Sequence, residues 1–206
     1  MSATQRKRIF DLSGGHVALD FANTVAKRPT AERIDRLPSY DDFLVFGREV
    51  GIVPARVFDR LHSLAREAPG RSQAALQHAI ELREAIFEIF HAIGIHASPP
   101  ENALTIVNSA LQSSGAHGGI TSKGRHVSWE WVRMEDHLDS ILWPIARAAA
   151  ELLTSEELNR VRVCDSDKCD WLFLDTTKNQ RRRWCDMKTC GNRVKAQRHY
   201  ARLKAV

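Results

Sequence analysis

Apolar residues recur at intervals of three and four along much of this chain, which is the spacing of amphipathic helices. After Ser39, aromatic and aliphatic residues form one such stripe, and Gly51 follows as a helix terminator. The predicted helices cover residues 39–50, 54–68, 72–93, 100–113 and 136–153. Pro144 lies inside the last of these, where a proline is expected to kink the helix.

Two other stretches alternate between apolar and polar or small residues, as strands with one buried face do. The first covers 17–22, where Val17, Leu19 and Phe21 are the apolar positions. The second covers 118–132 and predicts a hairpin, because its two runs flank a turn-forming segment. We expect the first strand to pair with this hairpin in a small antiparallel sheet.

The C-terminal quarter of the chain has a different pattern. Residues 171–174 are aromatic and aliphatic and predict a short strand, and residues 181–184 are expected to return antiparallel to it after a turn. Residues 193–204 contain no glycine or proline and are rich in strong helix formers, so they predict a terminal helix. The expected order is a knuckle, a hairpin and a helix.

Four cysteines, the only ones in 206 residues, lie in this segment as two pairs with fifteen residues between the pairs. Two short-spaced pairs around a compact insert predict a tetrahedral zinc site made by Cys164, Cys169, Cys185 and Cys190. Its role is expected to be structural, because four thiolates leave no open position for water. Disulfides would instead need an oxidising compartment.

Several features point to the reducing cytoplasm. Residues 1–8 are polar and basic, with no apolar run of a secretory signal behind them. No apolar run reaches the roughly 18 residues of a membrane span, so no membrane association is expected. The predicted fold class is α+β and mainly helical. It comprises an N-terminal helical domain with a small antiparallel sheet over residues 1–153, and a treble-clef-like zinc finger with four cysteine ligands over residues 160–206.

Positive charge is concentrated on the finger. Residues 160–206 hold thirteen Lys and Arg against five Asp and Glu, a net charge of +8, whereas the rest of the chain has a net charge of −3. A basic module that carries a helix can bind the phosphate backbone of DNA by releasing counterions. The candidate DNA-binding residues are Arg181, Arg182, Arg183, Arg193, Lys195, Arg198 and Arg202. The alternatives are a solubilising basic tail and a docking surface for an acidic protein.

Two segments resemble known families. The sequence CGNR at 190–193, with RRRWC at 181–185, closely resembles the CGNR zinc finger, and GHVALDFANTV at 15–25 resembles the opening of the ABATE domain. Bacterial proteins that join these two domains are described as stress-induced transcription regulators. The resemblance implies that the four cysteines bind zinc and that the protein binds DNA.

Arg83 falls inside the apolar stripe of the helix at 72–93. A buried guanidinium needs an acceptor, and an internal ion pair with an acid such as Asp20 is one explanation. The other is a ligand pocket, in which Asn23 and Asn108 converge with Arg83 and a small-molecule effector alters the finger's affinity for DNA.

No catalytic arrangement stands out. The chain lacks a Ser/His/Asp arrangement, a glycine-rich phosphate loop and a nucleotide fingerprint, so we do not expect an enzyme. The pair Glu88 and His91 has the spacing of di-metal ligands in helix bundles but lies off the apolar stripe. A zinc-stabilised protein-interaction module without direct DNA binding is the stronger rival. Because one finger has a small footprint, specific DNA recognition is expected to need a homodimer or a partner.

Overall fold

A computed structural model describes residues 9–204 of the chain; the basic segment 1–8 considered above lies outside this range. The described residues form seven α-helices and three two-stranded antiparallel sheets. The helices are α1 (Val17–Ala22), α2 (Tyr40–Glu49), α3 (Ala55–Glu67), α4 (Pro69–Gly94), α5 (Glu101–Gly115), α6 (Leu142–Leu153) and α7 (Asn192–Lys204). The strands are β1 (Val25–Ala26), β2 (Ile34–Asp35), β3 (Gly118–Lys123), β4 (His126–Trp131), β5 (Val161–Val163) and β6 (Leu172–Leu174). The mainly helical α+β fold class is thus confirmed.

The helical body comprises residues 9–153. The long helix α4 is its centre, since α1, α2, α3, α5 and α6 all pack against it. Four predicted helices appear as α2 to α5. Helix α2 begins as its sequence indicates, because the Ser39 hydroxyl accepts a hydrogen bond from the Asp42 N–H at 3.2 Å. Helix α4 begins earlier than predicted, at Pro69, because a proline suits the first turn of a helix.

The strand predicted at 17–22 is wrong, because these residues form the helix α1. His16 precedes this helix and its ring nitrogen accepts a hydrogen bond from the Ala18 N–H. Every residue from Ala18 to Ala22 is buried. Because all sides of this helix face the protein interior, the alternation of its apolar residues did not indicate a strand. The proposed sheet between this segment and the later hairpin is therefore also wrong.

The hairpin itself is confirmed: β3 pairs with β4, with Ile120 opposite Trp129, and the pair forms a sheet of its own. The segment 27–36 includes the short strand β2, which pairs with β1. The last helix of the body, α6, begins only at Leu142, so Pro144 lies in its first turn, where its missing N–H costs no helical hydrogen bond.

In the finger, strand β6 forms where predicted but has a different partner. It pairs with β5, so the predicted pairing with the arm 181–184 is wrong. That arm is held by other contacts: the Asp165 N–H donates to the Arg183 carbonyl at 2.8 Å, and the buried Asp175 carboxylate accepts the Arg182 N–H at 2.9 Å.

The β5–β6 sheet is part of the main core. Val161, Leu172 and Leu174 belong to the same buried cluster as the helices, and β5 crosses the end of α4. Gly94 permits this close approach, because a Cβ atom at that position would lie 2.8 Å from Cγ2 of Val163. The finger is thereby joined to the helical body. Within residues 9–204, no helix combines the length and apolar character needed to cross a membrane.

Candidate metal centre and nucleic-acid interface

The four cysteines converge on one point. Their sulfur atoms all lie within 4.8 Å of one another, and all four residues are buried. The Sγ atoms of Cys169 and Cys185, and of Cys185 and Cys190, are 3.7 Å apart. A Zn–S bond of about 2.3 Å in tetrahedral geometry requires sulfur atoms about 3.8 Å apart. The donor set therefore fits one zinc ion, and four thiolates fill its coordination.

Local backbone structure places each pair. In the first, Cys164 donates its N–H to the Trp171 carbonyl at 2.8 Å, and Cys169 donates to the Ser166 carbonyl at 3.0 Å, which folds the tight knuckle. In the second, the Asp186 carboxylate accepts the Thr189 N–H at 2.7 Å and begins a short π-helix, Met187–Gly191, that carries Cys190. The metal ligand thus lies immediately before α7, at the positive end of its dipole.

The thiols interact strongly with one another. Hydrogen bonds from Cys169 and then Cys185 hold the pKa of Cys164 far below its ordinary value, to about 2. The Cys164 thiolate in turn raises the pKa of Cys185, and that of Cys169 follows the same direction. The Cys164 thiolate therefore opposes ionisation of Cys169 and Cys185, and a divalent cation would relieve this repulsion.

Arg193 supports this centre from outside. Its Nη2 atom donates a hydrogen bond to the Cys190 Sγ at 3.0 Å. Such outer contacts orient metal ligands and compensate the charge of a thiolate. This role of Arg193 was not predicted from the sequence. The one signal for it there is that Arg193 lies three residues after Cys190.

The three arginines of the returning arm differ in their surroundings. Arg181 is exposed. Arg182 is half-buried: its Nε donates to the Trp184 carbonyl at 2.9 Å, and its guanidinium lies 4.5 Å from the centre of the Phe173 ring. Arg183 is exposed and forms an ion pair with Asp165. The arm lines a concave surface that also includes Lys178 and Met187.

Helix α7 projects from the finger. Val194 is its only buried residue, and every residue from Lys195 to Lys204 is exposed. The helix contacts mainly the π-helical turn that precedes it. It carries five basic residues and no acidic residue: Arg193, Lys195, Arg198, Arg202 and Lys204.

Arg83 forms the internal ion pair that one interpretation predicted, although its partner is Asp35 and not Asp20. It is 1% exposed, and its Nη1 and Nη2 atoms bind the two Asp35 oxygens at 2.7 and 2.8 Å. Nε donates to Glu84 at 2.9 Å.

The three predicted ligand-binding residues therefore do not converge. Arg83 is engaged by acidic side chains of its own domain. The Asn23 side chain accepts the Leu172 N–H at 2.9 Å and donates to the Leu172 carbonyl at 2.8 Å, so it links α1 to the finger. Asn108 is exposed on α5. The structure corrects the expectation of a shared pocket, because each residue has different surroundings.

Comparison with known families gives two matches that confirm the resemblance. Residues 15–156 match the ABATE family, described as "Putative stress-induced transcription regulator". Residues 160–203 match the CGNR zinc finger. Neither description is that of an enzyme family, and no curated protein matches the chain. The chain belongs to the ABATE family, and its C-terminal segment is a CGNR zinc finger in which Cys164, Cys169, Cys185 and Cys190 together form a site for one zinc ion.

Proposed function

We propose that this protein is a DNA-binding transcription regulator whose zinc finger docks on DNA through α7 and the basic arm before it. In this proposal residues 160–206 form the DNA-binding unit and residues 1–153 the regulatory unit. The zinc ion holds the arm and the start of α7 together, and the protein acts in the cytoplasm. Specific recognition uses two copies or a partner, since a single finger covers few base pairs.

The observation that carries the proposal is the free, basic helix α7. An isolated helix of thirteen residues is only marginally stable in water, so a helix exposed on nearly all sides is suited to a partner. Its five cations without a carboxylate favour a polyanion. The major groove of DNA is wide enough for an α-helix.

The exposed residues of the predicted set are the ones assigned to phosphate contacts: Arg181, Arg183, Lys195, Arg198 and Arg202. Arg182 and Arg193 are assigned to positioning instead, because their guanidinium groups already bind the Trp184 carbonyl and the Cys190 sulfur. Replacement of these two is expected to weaken DNA binding through the shape of the finger.

The test is a gel-shift titration of the zinc-loaded full chain on duplex DNA at several salt concentrations. The double variant Arg198→Gln/Arg202→Gln should bind more weakly, and the slope of log K against log[salt] should become less steep by about two. A matched control is Arg66→Gln/Arg125→Gln, which removes two exposed cations from the helical body. If both double variants bind DNA equally well, the proposal is wrong.

Protein docking is the second candidate, and two side chains of α7 favour it. Tyr200 is 65% exposed and Leu203 is 62% exposed, and apolar groups on a free helix suit a groove in another protein. DNA retention that is unaltered in the double variant, together with loss of a protein partner from Leu203→Ser, would favour docking.

A further inference from the structure

A cleft of about 200 Å³ lies between the finger and the helical body, and the zinc ligands Cys169, Cys185 and Cys190 form part of its lining. Four cationic side chains line it. Lys27 and Arg36 come from the β1–β2 region of the body, and Lys168 and Arg193 come from the finger. Asp11 is the single carboxylate among its lining residues. The cleft is thus positively charged and is built from both parts of the molecule.

Two arginines that line this cleft are not fully paired. The Nε atoms of Arg36 and Arg193 are buried and form no hydrogen bond within residues 9–204. The Arg36 side chain also forms no ion pair there, and the same is true of Lys168. A buried donor without an acceptor is costly, so natural structures nearly always provide one. Because these Nε atoms have no accessible surface, a ligand in the cleft would bind the other N–H groups of the two guanidinium groups, which no carboxylate among residues 9–204 pairs.

The zinc site offsets the positive charge of the cleft only in part, because four thiolates around one divalent ion carry a net charge of −2. Arg193 uses its Nη2 for the Cys190 sulfur, yet its Nε remains without a partner in the described chain. Lys27 is the one cation of the four with a carboxylate partner among the described residues, because it pairs with the exposed Glu32.

We propose that this cleft binds an oxyanion, a phosphate or carboxylate group, between Arg36 and Arg193. Guanidinium groups bind such oxygens through paired, charge-assisted hydrogen bonds. A water molecule occupies about 30 Å³ in the liquid, so the cleft has room for a group of this size. The bound anion joins the helical body to the finger. It is either a free anionic molecule or a phosphate of DNA whose main contacts are with α7.

The first experiment measures the melting temperature of the zinc-loaded full chain with inorganic phosphate or pyrophosphate, at constant ionic strength set with chloride. The wild type should show a saturable rise of about 5 °C or more once the anion exceeds its dissociation constant a hundredfold. Arg36→Gln should lose this rise, and Arg66→Gln, which removes an exposed cation on α3, should keep it.

The second experiment compares the same variants on duplex DNA. If the anion is a DNA phosphate, Arg36→Gln should reduce the salt slope by about one, and Arg66→Gln should not. Only this second experiment depends on the proposed function. If the wild type does not bind DNA, a phosphate-dependent rise in melting temperature still supports the cleft.

Two outcomes overturn the inference. One is that Arg36→Gln differs from wild type neither in the phosphate-dependent rise in melting temperature nor in the salt slope. The other is loss of zinc from both Arg36→Gln and Lys168→Gln, measured by metal analysis, because it would assign these cations to neutralising the thiolates. If Arg36→Gln loses only the phosphate-dependent rise in melting temperature, the ligand is a free anion. If it shows only the reduced salt slope on duplex DNA, the ligand is a phosphate of DNA.

Discussion

Replacement of Asn23 tests the connection between the finger and the helical body. The residue is 2% exposed, and its amide binds both backbone polar groups of Leu172, at 2.8 and 2.9 Å. Leu172 is itself fully buried. An alanine at position 23 therefore removes two hydrogen bonds and leaves an N–H and a carbonyl that water cannot reach.

The expected cost follows from those two groups. A buried backbone group that loses its partner costs about 1–3 kcal/mol, so Asn23→Ala should lower the free energy of unfolding by roughly 2–6 kcal/mol. For a chain of this size each kcal/mol shifts the melting temperature by about 2–4 °C, which gives a decrease of roughly 4–24 °C.

Urea denaturation of zinc-saturated protein, with a reductant present, measures this quantity. Asn108→Ala is the matched control, because Asn108 is exposed and forms no side-chain hydrogen bond in the described chain; it should stay within about 0.5 kcal/mol of wild type. Asn23→Asp should also be destabilising, since it places a carboxylate against the Leu172 carbonyl. If Asn23→Ala differs from Asn108→Ala by less than about 0.5 kcal/mol, the proposed connection carries little of the stability.

Three further predictions concern the metal site and a buried acid. Cys185→Ser should reduce zinc content measured by elemental analysis to well below one ion per chain, because a three-thiolate site binds the ion less tightly. Gly191→Ala should change zinc retention against a chelator little, because its Cβ would lie 2.5 Å from the sulfur of Met187, whose side chain is 44% exposed and can rotate away. Burial raises the pKa of Asp20 from 3.8 to about 7, so its ionised form destabilises the fold and stability declines as pH rises from about 4 to 7. Asp20→Asn keeps an acceptor for the Gly14 N–H. In urea denaturation its free energy of unfolding should exceed that of wild type by up to about 4 kcal/mol at pH 8 and by less at pH 6. An equal increase at both pH values would contradict the raised pKa of Asp20.

The helices α2 to α5 could be predicted because each carries a local signal. Their apolar residues repeat with the helical period, and Ser39 and Gly51 mark the ends of α2. Helix α1 could not be predicted this way. It is buried on all sides, so its sequence shows no polar face, and its six residues are too few to separate a period of 3.6 from a period of two.

Contacts between segments that are distant in the sequence could not be predicted either. The sequence placed β6 correctly but could not choose between β5 and the arm 181–184, because the choice depends on packing of β5 against α4. The need of Arg83 for an acid was evident, yet its partner, Asp35, lies 48 residues away in a segment without a periodic pattern. The cysteine spacing was sufficient for the metal site because both pairs carry their geometry in short local turns.

The segment between the cysteine pairs explains why zinc binding and folding of the helical body must be linked. Three of its residues bind the body: Trp171 donates to the Val25 carbonyl at 2.9 Å, Leu172 binds Asn23, and Leu174 donates to the Gly14 carbonyl at 2.8 Å. The ion holds both ends of this segment, so its release permits the segment to leave α1 and β1. Because linkage is reciprocal, the coupling free energy by which zinc binding stabilises these contacts equals the one by which the contacts stabilise zinc binding. A structural change at α1 can therefore affect the finger without any contact to the metal ligands themselves.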